Sequence, residues 1–355
     1  MLERVRSATS GRIFGLAPLD LIGLLLLAVA VVWLIPQVVA SGPGYFAQVL
    51  VFGVALGAIY ALVALGYTMV YGIVELINFA HGDVFTLGAF ISLPLLPLFG
   101  LTEDKSHGID LVLGLIPVFL ITMALCALVN VVIERVAYRP LRNAPRLAPL
   151  ITAIGMSSIL EGAMFLWKGP FNIHYPDLLP ATQVPIGGGV TISAKSLIIV
   201  AVAIILVLGL TLFINGSKLG KAMRATAQDR DAAQLMGINI NATIAATFFI
   251  GAALAGAGGI IYGLYFGTLT AFLGFSAGLV AFTAAVFGGI GNIPGAALGG
   301  LLIGLISQMG DGYLDPFMNR HFGPGTWTQV LIFALLILVL VFRPSGLLGM
   351  RVPEK

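Results

Sequence analysis

Charge is what this chain has least of. Only 9% of its 355 residues are Asp, Glu, Lys or Arg, and 59% are hydrophobic, whereas an average soluble domain carries about 25% charged residues. A surface this poor in charge cannot be kept in water. That excludes a soluble globular fold and leaves lipid as the solvent for most of the chain, in keeping with a mean hydropathy of +1.05. Cysteine is almost missing. The single Cys126 lies in an apolar run, which excludes an intrachain disulfide and marks it as a small packing residue. Nucleotide chemistry is missing as well. Gly216-Ser-Lys-Leu-Gly220-Lys221 has three residues between its glycines where a phosphate loop has four, and Ala222 stands where Ser or Thr would ligate magnesium. His107, His174 and His321 are scattered without metal-ligand spacing, and no Ser/His/Asp arrangement stands out. The chain is therefore expected to be no enzyme and to hold no cofactor or metal. Its net charge of +3 comes from short basic clusters between apolar runs, with no continuous basic face to suit nucleic acid.

What the chain has is a series of apolar runs. A helix needs about 20 mostly apolar residues to cross a bilayer. That measure places spans near 19–40, 49–71, 84–100, 111–133, 147–167, 196–214, 242–266, 272–290, 293–310 and 327–342. The run from Leu19 to Ala40 is too long for the apolar core of a secretory signal, so it reads as a retained first helix. Pro94 and Pro97 interrupt 84–100, and 272–290 lies close against 293–310. Either region can be a re-entrant or broken helix, tolerated only where protein buries it.

Lys and Arg set the orientation. With the N-terminus inside, ten spans put Arg4, Arg6, Arg12, Arg135, Arg139, Arg142, Arg146, Lys218, Lys221, Arg224, Arg230, Arg343, Arg351 and Lys355 in the cytoplasm. Lys105, Lys168, Lys195 and Arg320 remain outside. An odd number of spans would spoil that bias. The expected fold is all-α: a polytopic bundle of about ten spans, both ends inside, with a cytoplasmic coupling helix.

Glycine is abundant, at 45 residues, and falls inside the spans. Gly53/Gly57, Gly263/Gly267, Gly274/Gly278, Gly291/Gly295, Gly295/Gly299 and Gly300/Gly304 are each four apart. Small residues at that spacing let helices approach closely in lipid, so a tightly crossed bundle is expected.

The longest charged loop, Gly216 to Ile240, carries Leu219, Met223, Ala227, Ala232, Leu235 and Met236 at roughly helical spacing among charged residues. That pattern predicts one or two short amphipathic helices. They could lie on anionic headgroups or dock a cytoplasmic partner. Asp231-Ala232-Ala233 followed by Gly237, suited to end a helix, favours docking. A second feature, Glu75-Leu-Ile-Asn78-Phe-Ala-His81-Gly82-Asp83, concentrates polar groups without a single Lys or Arg. It reads either as a polar-capped turn or as a pathway element, since ionisable groups at membrane depth commonly face a water-filled path. Gly82 would permit a chain break before a helix whose N-terminus can face an anionic ligand. Glu161 is the one acid well inside a span, lining the pathway or pairing with a neighbouring helix. Gly291-Asn-Ile-Pro-Gly295 makes a turn with no charge, expected to pack against protein.

Three blocks carry a resemblance. GAIYALVALGYTMVYGIVELINFAHGDVFTLGAF (57–90), GKAMRATAQDRDAAQLMGI (220–238) and VFGGIGNIPGAALGG (286–300) resemble the H-type permease of branched-chain amino acid ABC transporters, with likeness in order over residues 45–345. The resemblance implies a permease domain over 45–345, after an N-terminal extension and first helix over 1–44 and before a tail over 346–355. It implies a coupling loop within 215–241, with Gly220, Arg224, Asp231, Ala232, Ala233 and Gly237 meeting an ATPase. Asp231 stands where the general importer motif has Glu. It also implies as partners a second related permease, two cytoplasmic ATPase subunits and a periplasmic solute-binding protein, all at the bacterial inner membrane. Glu75, Asn78, His81, Asp83 and Glu161 are the pathway or gate candidates. Close relatives that carry urea or short amides keep the solute open. An ion-coupled secondary transporter or a channel is the rival class, expected to place more ionisable groups near the midplane.

Overall fold

The computed structural model describes residues 32–103, 108–142, 144–145, 147–187, 189–314, 325–343 and 345–349. Most of the first span expected at 19–40, with the basic residues Arg4, Arg6 and Arg12, lies outside them, as do Lys105, Arg146, Arg320, Arg351 and Lys355. Among the described residues seven helices are long and apolar enough to cross a membrane: α2 (Pro43–Val74), α3 (Ala80–Leu98), α4 (Gly108–Ile133, extended by a π turn and a 3-10 turn to Leu141), α5 (Leu147–Lys168), α6 (Ala194–Gly216), α9 (Ile240–Phe266) and α11 (Ile293–Met309, extended by a π turn to Leu314). Three further apolar helices are shorter: α1 (Val32–Ser41), α10 (Leu273–Gly288) and α12 (Thr326–Phe342). The chain is thus a polytopic helical bundle. Its small amount of strand forms two antiparallel pairs, β1 (Ile173–His174) with β4 (Thr268–Leu269) and β2 (Gln183–Gly187) with β3 (Val190–Ser193).

The core lies along α2, α3, α9 and the inner faces of α10 and α11. Helices α4, α5 and α6 instead leave large apolar side chains such as Leu120, Leu166 and Leu212 exposed, as suits helices whose outer face meets acyl chains. No hydrophobic effect drives helices together in lipid, so close backbone approach and dispersion must hold the core. The glycine spacing anticipated this. Gly57 and Gly304 meet backbone to backbone where α2 crosses α11, and a Cβ on Gly57 would lie 2.7 Å from the Leu301 carbonyl oxygen. One turn along, Gly300 rests on Ala61.

The basic loops collect at one end. Arg142 Nη1 donates to Asn241 Oδ1 at 2.6 Å, joining the end of α4 to the start of α9. At the same end Gly291 lies on Gly72. The Leu347 N–H donates to the Phe287 carbonyl at 2.8 Å. The opposite end carries both strand pairs. There the Thr191 N–H donates to Gln48 Oε1, and Lys195 pairs with Asp177 at 2.9 Å.

Two helices begin inside the bundle. Glu75 ends α2 in the left-handed conformation at φ 57°. Residues 76–79 then lead back inward, so that His81 is fully buried against Gly66 of α2. At the other end the chain re-enters after Phe266 and β4, and the first turn of α10 rests on Gly82 and Asp83 of α3. Sixteen residues of α10 span only about 24 Å, short of a ~30 Å hydrocarbon core.

Two expectations change here, and one open alternative is settled. The break comes at Glu75, and Gly82 is helical in the first turn of α3, where its missing side chain admits the backbone of Gly278. Pro94 and Pro97 leave α3 continuous, because both fall in its last turns. The 272–290 run is the partial helix α10. The uncharged turn at 289–292 does pack against protein: Asn292 Nδ2 donates to the Leu348 carbonyl at 2.7 Å, and the Gly291 N–H to Thr68 Oγ1 at 3.2 Å.

Candidate functional site

The charged loop folds into two short helices, α7 (Lys218–Gln228) and α8 (Arg230–Leu235). Each start has a side-chain cap, the commonest way to satisfy free N–H groups there. Ser217 Oγ accepts from the Gly220 N–H at 2.9 Å, and Asp229 Oδ1 accepts from Asp231 and Ala232 at 2.9 and 3.0 Å. Gly237, at φ 84°, ends α8 as expected. Its N–H donates to Gln234 and that of Ile238 to Ala233, both at 3.0 Å, the hydrogen-bond pair of a glycine-terminated helix.

The two helices are bolted to the bundle. Gly220 is buried against the Ile214 backbone, Met223 is buried, and Arg224 donates to the Ile214 carbonyl. Arg230 Nη2 donates to the Ile73 carbonyl at 2.8 Å, on the last turn of α2, where helix carbonyls lack intrahelical partners and attract cations. The far side faces outward. Asp231 and Ala232 are exposed while Ala233 is buried, so Gly220 and Ala233 hold the loop and Asp231 and Ala232 show their faces. Leu235 and Met236 are 89% and 84% exposed, an apolar tip beside a groove of about 190 Å³ lined by Gln228, Ala232 and Ile238. The amphipathic pattern pointed to this loop but not to the split within it. Arg230 has the same appearance in sequence as its basic neighbours, and only its partner sets it apart.

The pathway candidates separate into three groups. Glu75 is exposed at the end of α2. Asn78 is buried in a closed network: Tyr138 Oη donates to Asn78 Oδ1 at 2.8 Å, Asn78 Nδ2 to Asn130 Oδ1 at 3.5 Å, and Asn130 Nδ2 to the Phe248 carbonyl at 2.9 Å. The network ties the inward-leading segment to α4 and α9. Tyr138 and Asn130 carry no sequence signal, being 60 and 52 residues from Asn78.

His81 and Asp83 form the third group with Glu161. The His81 ring stacks edge-on with Tyr67 at 4.7 Å, and Asp83 Oδ2 accepts from Ser157 Oγ of α5. Glu161, one turn beyond Ser157 on α5, is half-buried. Both ring nitrogens of His81, Oδ1 of Asp83, the Tyr67 hydroxyl and Thr86 Oγ1 are buried without a well-formed hydrogen bond. Such groups are costly to bury, and His81, Asp83 and Tyr67 meet where the first turns of α3 and α10 cross. Elsewhere Glu134, buried, pairs with Arg142. Among the described residues no group of three or more His, Cys, Asp or Glu is placed to hold a metal.

Residues 49–340 match the model of a protein family described as the permease component of branched-chain amino acid transport systems. The chain is similar to BraD of Pseudomonas aeruginosa, a high-affinity branched-chain amino acid transport system permease protein. The two are 45% identical over 317 residues, covering 88% of this chain and 98% of the relative. It is 42% identical over 315 residues to LivH of Escherichia coli K12 and 41% identical over 315 residues to LivH of Salmonella typhimurium. Both carry the same description, and coverage is again 88% and 98%. No solved structure matches the chain.

Proposed function

Because this chain belongs to the family of permease components of branched-chain amino acid transport systems, we propose that it works as a lever-driven subunit of an ATP-powered importer. It is a multi-pass protein of the bacterial inner membrane and a permease subunit through which branched-chain amino acids cross. Its partners in this reading are a second related permease, two ATPase subunits on the cytoplasmic side and a periplasmic solute-binding protein. Ten spans place the basic end of the bundle, with the α7–α8 loop, in the cytoplasm. In support, Arg135, Arg139, Arg142, Lys218, Lys221, Arg224, Arg230 and Arg343 all lie toward that end, whereas Lys168 and Lys195 lie toward the other.

The observation that carries the docking role is the exposed apolar tip, Leu235 and Met236, on a loop anchored by Arg224 and Arg230. Large apolar side chains exposed in water mark an interaction surface. Asp231 and Ala232 complete the outward face. A push on the tip reaches Ile73 through Arg230, and so reaches the end of α2, the segment 75–79 and the crossing of α3 with α10. The incompletely bonded His81 and Asp83 at that crossing suit a part that rearranges between two states, and Glu161 extends the polar surface along α5. Co-purification tests the docking role. Leu235→Asp with Met236→Asp should abolish recovery of the ATPase subunits with a tagged permease that still inserts normally, and undiminished recovery overturns it.

A further inference from the structure

A second polar region faces an open cavity of about 190 Å³, walled by α2, α9, α10, α11 and α12. Its lining includes apolar side chains, Leu56, Val280 and Ile332. Polar groups of Tyr60, Tyr262, Thr328 and Asp311 lie among them, Tyr60 one turn beyond Leu56 on α2 and Thr328 one turn before Ile332 on α12. Thr328 Oγ1 donates to Asp311 Oδ1 at 2.6 Å and Gln308 Nε2 to Asp311 Oδ2 at 3.5 Å, which fixes the carboxylate at the cavity edge, where the residue is exposed. Tyr60 and Tyr262 line the same cavity as Asp311. Neither phenol hydroxyl has a hydrogen-bond partner among the described residues, although tyrosines set among apolar side chains normally find one. The cavity lies toward the end that carries Gln48 and the strand pairs. Its Ser276 and Ala277 belong to α10, the helix whose Gly274 and Gly278 rest on Gly82 and Asp83.

We propose that this cavity is a transient binding site for the transported zwitterion, entered from the side where a binding protein delivers it. The inference rests on the reading of the chain as a branched-chain amino acid permease. The two ends of the ligand have complementary partners. The ammonium group meets the Asp311 carboxylate. The phenol hydroxyls of Tyr60 and Tyr262 donate to the ligand carboxylate, and the branched side chain lies on Leu56, Val280 and Ile332. The volume suits a small amphiphile, since drug-sized ligands occupy about 300–1,000 Å³. Occupancy presses on one face of α10 while another face of that helix touches the α3 crossing. The site thereby reports its filling to the same elements that the α7–α8 loop moves.

The test uses the complete complex in proteoliposomes with a photoactivatable diazirine analogue of leucine. Labelling is expected on the peptides containing Tyr60 and Tyr262, suppressed by excess leucine but not by urea. Ser276→Phe, which fills the cavity, should lower leucine transport at least tenfold while the ATPase subunits still co-purify. Asp311→Asn gives a second variant that keeps the volume and should lower the labelling by a similar factor. Labelling confined to other peptides overturns the site. So does full transport by both variants, or a diazirine-bearing phospholipid that labels the cavity walls when the leucine analogue does not. A wild-type complex that moves no leucine at all defeats the underlying reading instead, which keeps the two failures distinct.

Discussion

Arg230 on the α7–α8 loop donates a hydrogen bond of 2.8 Å to the carbonyl of Ile73, 157 residues earlier at the end of α2. A guanidinium on a terminal helix carbonyl combines a charged hydrogen bond with the negative end of the helix dipole. The bond joins the surface that a motor would grip to the segment that leads into the bundle.

Arg230→Gln removes that bond and leaves the exposed tip untouched. Charged hydrogen bonds contribute about 1.5–3 kcal/mol, so transport per ATP hydrolysed should fall about tenfold while the affinity for the ATPase changes less than twofold. Transport and hydrolysis measured together on one preparation decide it. An unchanged ratio would show that Arg230 is only an anchor.

Gly237 ends α8 in the left-handed region at φ 84°, where a Cβ costs about 1–2 kcal/mol. Gly237→Ala should weaken the dissociation constant for the ATPase roughly fivefold or more. Gly237→Asn should recover much of the loss, because asparagine tolerates that conformation.

Gly304 faces Gly57 backbone to backbone, so Gly304→Leu must separate α2 from α11. Overpacking of a tight contact costs about 1–3 kcal/mol, and separating two core helices lies at or above the upper end of that range. A lower thermal midpoint in detergent and a smaller monodisperse yield are expected, with no sign of selective uncoupling.

Asn78 and His81 should part company. Asn78→Ala leaves the Tyr138 hydroxyl and Asn130 Oδ1 without a buried partner, while Asn130 Nδ2 keeps the Phe248 carbonyl; an unsatisfied buried group costs about 1–3 kcal/mol, so the thermal midpoint should fall. Tyr138→Phe added to it should cost little more. His81→Gln breaks no well-formed bond and should keep the midpoint while reducing transport. Normal transport in His81→Gln, with stability intact, would leave the turn reading of this segment standing.

The strand end carries a pH-sensitive tie. Glu103 Oε1 accepts from the Asp177 N–H at 2.8 Å and lies 3.0 Å from His174 Nε2. The Asp177 N–H, followed by the His174 side chain, holds the Glu103 carboxyl below the usual glutamate range. A depressed folded-state pKa means that the tie is fully present above the ordinary glutamate pKa and fades as pH falls through the lowered one. Hydrogen exchange at the Asp177 amide, corrected for its intrinsic rate, should therefore quicken in acid, and Glu103→Gln should flatten that dependence.

Much of this was legible in sequence because lipid imposes a simple demand: backbone groups must be satisfied within a helix, and long apolar runs announce where. The seven long helices, the glycine-lined crossings and the charged loop with its stop at Gly237 arise from local composition and spacing. What the local pattern could not show was depth. Residues 84–100 and 272–290 leave open in sequence whether they are full spans or broken helices; α3 and α10 start inside the bundle because Gly82, Gly274 and Gly278 let their first turns cross. Depth depends on a neighbouring backbone that no window of sequence contains.

The same division holds for the functional groups. Hydrophobic content, basic clusters and three sequence blocks by themselves determined that the chain lives in a membrane and which kind of permease it resembles. Only the tertiary structure decided that Asn78 is clamped on both sides while Asp83 is held by one oxygen and His81 by neither ring nitrogen, that Ala233 faces inward while Leu235 and Met236 face out, and that Arg230 grips Ile73. Partitioning into lipid is a sum over residues, so composition suffices to settle it. A hydrogen bond needs two particular atoms about 3 Å apart, and residues 157 positions apart meet only when the fold brings them together.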